Sequence, residues 1–223
     1  MFTYFETGRY YAPSDLPQQW PMPAGTYNLE AGSRAFRGMV KRSRYAEELE
    51  FDWVSVSEHH YPPRILTPPR PTSPRSAQHQ DRTARADRPQ SNPVLLAEEM
   101  AMLDTMAGGR LIVGMLRGTS NEMPTYDLNP EESRERTDEG MELILRAWKE
   151  PQPFGWQGRH FHYRTVSVWP KPLQQPLPPM YALGTSREAS DFAARNHISL
   201  GVLFGPFDSM GRVTSYYKQE YAR

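Results

Sequence analysis

The run Phe51-Asp52-Trp53-Val54-Ser55-Val56-Ser57-Glu58-His59-His60 constrains this chain more than any other segment. An apolar stretch that breaks off at an acid and two imidazoles reads as a buried strand delivering polar chemistry at its C-terminal tip. Parallel α/β proteins, barrels above all, place their active sites there. Alternation along a strand divides the run into two faces. Asp52, Val54, Val56 and Glu58 share one, and Trp53, Ser55, Ser57 and His59 share the other. With the valines packed on covering helices, the small serines face the interior and His59 points inward above them. His59, rather than His60, is therefore the expected chemical group.

Strand and helix signals alternate along the rest of the chain, the pattern of a parallel-sheet α/β protein. Met1 to Phe5 reads as a short first strand, and Tyr10 to Asn28 as a Pro-, Gly- and aromatic-rich loop too long for a mere connector. A helix is expected from about Ser33 to Leu49, with Val40, Ala46 and Leu49 among its apolar positions. Pro93 to Met106 is a well-punctuated helix: Ser91 or Asn92 caps it, Pro93 lies in its first turn and Gly108 follows its end. Arg110 to Gly118 is almost continuously apolar, as befits a strand covered on both faces. The next helix is capped by Asn129, started by Pro130 and striped by Met141, Ile144, Leu145 and Trp148. A proline-rich excursion runs from Pro151 to Pro179. Beyond it, Met180–Leu183 and Ile198–Leu203 read as strands around a helix Glu188–Arg195, and Phe207–Arg223 as a final helical stretch.

The 223 residues are enough for one domain with a substantial core, taken here as spanning residues 1–223. Equal numbers of basic and acidic residues, 26 each, argue against nucleic-acid or anionic-membrane partners. No apolar run is long enough to span a bilayer. The absence of cysteine removes disulfides, thiolate metal sites and cysteine nucleophiles, and fits a cytoplasmic protein. One stretch breaks the pattern: from Thr67 to Pro93 no apolar side chain is larger than alanine. Composition alone predicts disorder over about 68–90, where a barrel needs its second helix and third strand.

Ser57-Glu58-His59-His60, the segment Pro93 to Arg110 with Leu103-Asp104 and Gly108-Gly109, Gly114-Met115-Leu116-Arg117-Gly118, and Met180-Tyr181-Ala182-Leu183-Gly184-Thr185-Ser186 occur in an order and at distances that matter together. They resemble the bacterial-luciferase-like flavin-dependent monooxygenases. The resemblance covers roughly residues 1–66 and 90–223 and implies a (β/α)8 barrel. It implies a monooxygenase that uses reduced FMN and oxygen to oxidise a small organic substrate. Other branches transfer hydride with a deazaflavin coenzyme. The reduced flavin would come from a separate reductase, since no G-x-G-x-x-G nicotinamide unit is present. By the same resemblance His59 and His60 form the catalytic set, while Glu58, Arg117, Gly118, Gly184, Thr185 and Ser186 form the cofactor-binding set. Arg117 and the Gly184-Thr185-Ser186 turn would hold the flavin phosphate. Glu58-His59-His60 with His160 and His162 is not read as a metal site, because adjacent strand residues point to opposite faces. The loop Tyr10–Asn28 and the excursion Trp156–Trp169 are expected to form apolar substrate walls.

The chain also departs from the family pattern. Thr185 stands where the luciferases carry an acid. Glu50 stands at a helix-to-strand corner that usually holds glycine in a left-handed cap. Residues 68–88 lack the second-helix and third-strand pattern, which leaves the third strand and the family-typical dimer in doubt. That stretch is read as a compensated frameshift, testable by translating the DNA in its other frames. About six βα units are present, so the expected barrel is incomplete. A truncated, catalytically inactive paralogue is the alternative from a different class.

Overall fold

Asn28 accepts the Ala31 N–H at 2.8 Å and so starts the first helix four residues earlier than its apolar pattern suggests. The computed structural model describes residues 2–11, 15–17, 19–56, 83–86, 92–118, 122–125, 127–202 and 205–223. Strand β1 (Thr3–Glu6) leads to helix α1 (Leu29–Glu48), β2 (Trp53–Val56) and β3 (Thr83–Ala86). Helix α2 (Pro93–Met106), β4 (Ile112–Met115), the short α3 (Glu122–Thr125) and α4 (Ser133–Lys149) follow. A hairpin of β5 (Phe154–Gln157) and β6 (His162–Val166) precedes β7 (Met180–Leu183), α5 (Arg187–Arg195), β8 (Ser199–Gly201) and α6 (Phe207–Tyr221).

Six strands form one sheet in the order β1-β2-β3-β4-β7-β8, every neighbouring pair parallel. Among the described residues the sheet does not close, and β1 and β8 are its edges. These are six successive strands of a (β/α)8 barrel that is incomplete. Thr83–Ala86, inside the stretch whose composition predicts disorder, pairs with both β2 and β4 as the third strand. Backbone hydrogen bonds need no apolar pattern, so composition could not reveal it. The rest of 68–90 lies outside the described residues.

Each strand turns one face to the helices. Val113 and Met115 of β4 and Met180 and Ala182 of β7 are buried in one cluster with Leu96, Met100 and Leu103 of α2, Ile144 and Trp148 of α4 and Phe192 of α5. The predicted α4 stripe of Met141, Ile144, Leu145 and Trp148 is buried throughout. That helix starts one turn late. Asn129 and Pro130 form a hydrogen-bonded turn instead, with the Asn129 side chain accepting the Glu131 N–H at 3.1 Å. On α1 the buried stripe is Ala31, Met39 and Ala46, whereas Val40 and Leu49 are exposed.

Three helix-to-strand corners repeat one motif. Glu50 follows α1 with φ 59°, Gly108 follows α2 with φ 66°, and His197 follows α5 with φ 54°. At each, the next residue's N–H bonds a carbonyl in the last helical turn: Phe51 to Ala46, Gly109 to Asp104 and Ile198 to Ala193. Glycine adopts this left-handed state without penalty, while a Cβ costs about 1 kcal/mol. Glu50→Gly is therefore expected to stabilise the chain by about 0.5–1 kcal/mol. Gly108→Ala, where an added Cβ meets nothing within 4 Å, should destabilise it through backbone strain alone. Urea midpoints of the two variants check the pair, and a loss of stability in Glu50→Gly would contradict the strain argument.

The excursion from Pro151 packs on the helical layer. Arg146 lies over the Phe154 ring at 4.2 Å and Arg136 over the Phe161 ring at 4.7 Å. Glu139 of α4 accepts the Trp156 indole at 3.0 Å and the His160 and Phe161 amides at 2.8 and 3.0 Å. A Cβ at Gly158 would lie 1.8 Å from the Glu139 carboxylate, so the hairpin tip needs glycine there for this contact. Burial raises the Glu139 pKa, but these three bonds outweigh it and hold the carboxyl below its ordinary range. The expected substrate wall at Trp156–Trp169 is thus corrected. Trp156 and Phe161 are used against α4, where Glu139 accepts the hairpin's donors and Arg136 covers the Phe161 ring.

Candidate functional site

The parallel strands all end on one side, and register brings two predicted motifs together there. Met115 of β4 pairs with Ala182 of β7. Arg117 and Gly118 extend one tip while Gly184, Thr185 and Ser186 extend the adjacent one, each motif starting two residues past that pair. Gly118 has φ 82°, which turns the chain sharply out of β4 after Arg117. Arg117 and Thr185 are exposed and Ser186 is half-buried. Ser186 is the N-cap of α5, its hydroxyl accepting the Ala189 N–H at 3.3 Å. A Cβ at Gly184 would lie 2.6 Å from that of Ala189, so glycine allows the helix to start tight against the strand tip.

An arginine beside a helix N-terminus is a fitting cradle for a phosphate dianion. Glu188 modifies that cradle. Its own backbone N–H and the Ser186 hydroxyl hold this exposed carboxyl below its ordinary range. An incoming phosphate must displace the acid from the first turn of α5. Such an exposed side chain can swing into water, so the residues present fit the group.

Glu58, His59 and His60 lie outside the described residues. The strand leading to them bears on the face assignment. Thr3 Oγ1 and Ser55 Oγ are 2.9 Å apart, which puts Ser55 on the face of Thr3 and Phe5. The opposite face of β1 carries Glu6, only 2% exposed. Its carboxylate accepts Arg42 Nε at 2.8 Å and Nη2 at 3.1 Å from α1, and also the Gly8 N–H at 2.8 Å. Burial pushes the Glu6 carboxyl up, but the Arg42, Gly8 and Tyr4 hydrogen bonds exceed it and leave the group below its ordinary range. Glu6 thereby fixes the turn after β1 that begins the mouth loop. Farther along that loop, buried Tyr10 stacks on Tyr27 at 5.5 Å and accepts the Asn28 N–H at 2.8 Å. Sequence reasoning missed this clamp, since an acid at a strand end and an arginine 36 residues later carry no local signal.

A cleft of about 630 Å³ lies between α4, α5 and the end of α6, lined by Arg134, Asp138, Glu188, Asp191 and Arg195 among others. It holds the ion pairs Arg134–Asp138 at 3.5 Å and Arg223–Glu220 at 2.9 Å, and burial pushes the Asp138 carboxyl above its ordinary range despite Arg134.

The luciferase-like monooxygenase family profile matches residues 16–223. The chain belongs to that family.

Among relatives of this luciferase-like chain, the uncharacterised protein y4wF of Sinorhizobium fredii is 25% identical over 196 residues, covering 85% of this chain and 57% of that protein. An FMNH2-dependent dimethylsulfone monooxygenase of Pseudomonas putida is 30% identical over 108 residues, 47% of this chain and 30% of that one. The oxygenase component of a flavin-dependent trigonelline monooxygenase from Acinetobacter baylyi is 28% identical over 114 residues, 50% of this chain and 31% of that one. The luciferase-like chain thus spans less than two thirds of these relatives' lengths. In fold it is similar to the monooxygenase RslO1 from Streptomyces bottropensis, with TM-score 0.75 at 24% identity over 100% of this chain and 66% of that one. An F420-dependent secondary alcohol dehydrogenase gives TM-score 0.76 at 17% identity over 99% of this chain and 63% of that one. Among the described residues, no helix of this luciferase-like chain is long and apolar enough to cross a membrane.

Proposed function

We propose that this chain is the flavin-binding part of a monooxygenase that takes reduced FMN and oxygen and oxidises a small organic substrate. The carrying observation is the pairing of β4 with β7, which sets Arg117-Gly118 beside Gly184-Thr185-Ser186 at the strand tips. Bound reduced flavin would supply the oxygen-activating chemistry. The chain's own residues bind and orient it. Arg117 would face the phosphate, the start of α5 would donate amides to it, and Gly118 and Gly184 would let the two tips approach closely. His59, which shares the sequence parity of Ser55, would hold or move a proton at the edge of the site, an imidazole task near neutral pH. His60 would support it, and Glu58 would complete the cofactor-binding set. The FMNH2-dependent relative and the one named as an oxygenase component support a cofactor reduced on a separate reductase.

The phosphate assignment makes a sharp expectation. Arg117→Ala should weaken FMN binding by roughly 1.5–3 kcal/mol, the scale of a lost charge-assisted hydrogen bond. Riboflavin, without the phosphate, should bind wild type and variant alike. Fluorescence titration of both ligands is the check, and equal losses would remove Arg117 from the phosphate site. The F420-dependent fold neighbour keeps a deazaflavin coenzyme as the second reading. Including that coenzyme in the titration separates the two.

A further inference from the structure

One arginine on the inward face of the sheet says what kind of substrate the site accepts, an inference that rests on the proposed position of the flavin at the strand tips. In a parallel sheet, residues paired in register share a face. Ser55 of β2 pairs with Thr83 of β3, Thr83 pairs with Ile112 of β4, and Arg85 pairs with Gly114. Gly114 in turn pairs with Tyr181 of β7. The opposite, helix-covered face carries Val54, Val113, Met180 and Ala182, all buried. Thr83 and Arg85 therefore occupy the inward positions of β3.

Among the described residues, Arg85 is the one charged residue at an inward position of the six strands. Glu6, the acid of β1, faces α1 and is held by Arg42, so no described strand supplies an inward counter-charge. A cation on an interior face is costly unless an anion meets it. The positions beside Arg85 favour an anion brought by a ligand. Gly114 has no side chain, and the Tyr181 ring and hydroxyl lie over it: a Cβ there would come within 3.0–3.1 Å of them. A cation and a phenol at one level of the sheet are a donor set suited to an oxyanion. Level with Gly114, Arg85 stands three residues short of the level of Arg117, about 10 Å deeper at the rise of a strand. It is thus a second cationic position, separate from the proposed phosphate cradle.

We propose that the substrate is an organic acid whose carboxylate is met by Arg85 and the Tyr181 hydroxyl on the inward face, with the rest of the molecule directed toward the flavin at the strand tips. A guanidinium takes a carboxylate through two parallel charge-assisted hydrogen bonds, which a neutral carbonyl of the same shape cannot match. Phe5 and Leu183, the last inward positions of β1 and β7, offer apolar contact to the remaining frame.

Matched ligands isolate the charge. Benzoate and acetophenone share a ring and differ by a carboxylate against a neutral ketone. Cyclohexanecarboxylate and cyclohexyl methyl ketone repeat the comparison without aromaticity. Binding is measured by ligand-observed magnetic resonance on the purified full chain, with and without FMN. In the wild-type chain each carboxylate is expected to bind at least about tenfold tighter than its ketone partner, the scale of a charge-assisted hydrogen bond. Arg85→Met should erase that preference and Arg85→Lys should keep part of it, with FMN affinity near wild type in both. Ketones binding as tightly as carboxylates, neither ligand binding, or a preference that survives Arg85→Met would each overturn the inference. So would a loss of FMN affinity in Arg85→Met that riboflavin does not share, because the anion at Arg85 would then be the flavin phosphate. The wild-type comparison stands whether or not a variant folds. Carboxylate binding that persists in a chain binding no FMN would sink the cofactor reading and leave the acid site standing.

Discussion

Asp104→Ala is expected to lower the stability of the chain by about 4 kcal/mol, enough to leave a marginal domain largely unfolded. Asp104 lies in the last turn of α2 and is 0% exposed. One carboxylate oxygen accepts the Leu111 N–H at 3.3 Å and the Gln174 side-chain amide at 2.7 Å. The other accepts the Gln174 N–H at 2.8 Å. The same Gln174 amide also donates to the Leu111 carbonyl at 2.7 Å. Helix α2, the start of β4 and the segment leading to β7 therefore meet on one side chain. Alanine would leave buried donors without an acceptor, each worth about 1–3 kcal/mol. Urea unfolding measures the difference. A loss under 1 kcal/mol would mean that water replaces the carboxylate and that the hub is not structural. Leu103-Asp104 stands out in the sequence, but only the folded chain shows that the acid serves three segments.

His59→Ala is expected to reduce substrate turnover by roughly 10²–10⁴-fold, the usual contribution of a positioned acid–base group. FMN affinity should stay near wild type, because Arg117 and the start of α5 carry the phosphate in the proposed site. His60→Ala should be the milder change. The motive is strand alternation: the Thr3–Ser55 contact puts Ser55 inward, Val54 is buried on the helix side, and His59 shares the parity of Ser55. Turnover with a flavin reductase and reduced nicotinamide, alongside FMN titration, reads both quantities. A more damaging His60→Ala would invert the parity assignment. Equal losses of turnover and FMN affinity in His59→Ala would make His59 a flavin-binding group instead.

Several elements were legible from residues alone because their signals are local. Asn92, Pro93 and Gly108 bracket α2 within single turns, and its helical span is the one expected. Met180–Leu183 is likewise the strand its apolar run predicts. Glu50 stood out only by the resemblance, as the residue where the family usually has glycine in a left-handed cap, and its φ of 59° shows the corner to be left-handed. Strand β3 was not legible: Thr-Ala-Arg-Ala has no apolar alternation, and its place comes from backbone pairing with β2 and β4. Nor was the β5–β6 hairpin, whose position depends on Glu139 reaching a tip that only Gly158 leaves open. The inward face of the sheet lay between these extremes. Each strand's alternation was readable, but which face looked inward required the Glu6–Arg42 clamp and the α2–α4 core.

By itself the sequence determined the fold class, the family and the order of the motifs along the chain. The fold class follows from hydrophobic periodicity and caps that act over a few residues, and the family from the resemblance that the ordered motifs carry. The tertiary structure alone decided which motifs are neighbours. Arg117 and Ser186 are 69 positions apart in the chain, and parallel pairing of β4 with β7 sets their strand tips side by side. Such pairing is non-local, selected by the sum of many backbone bonds and by burial against α2, α4 and α5, and no window of sequence contains it.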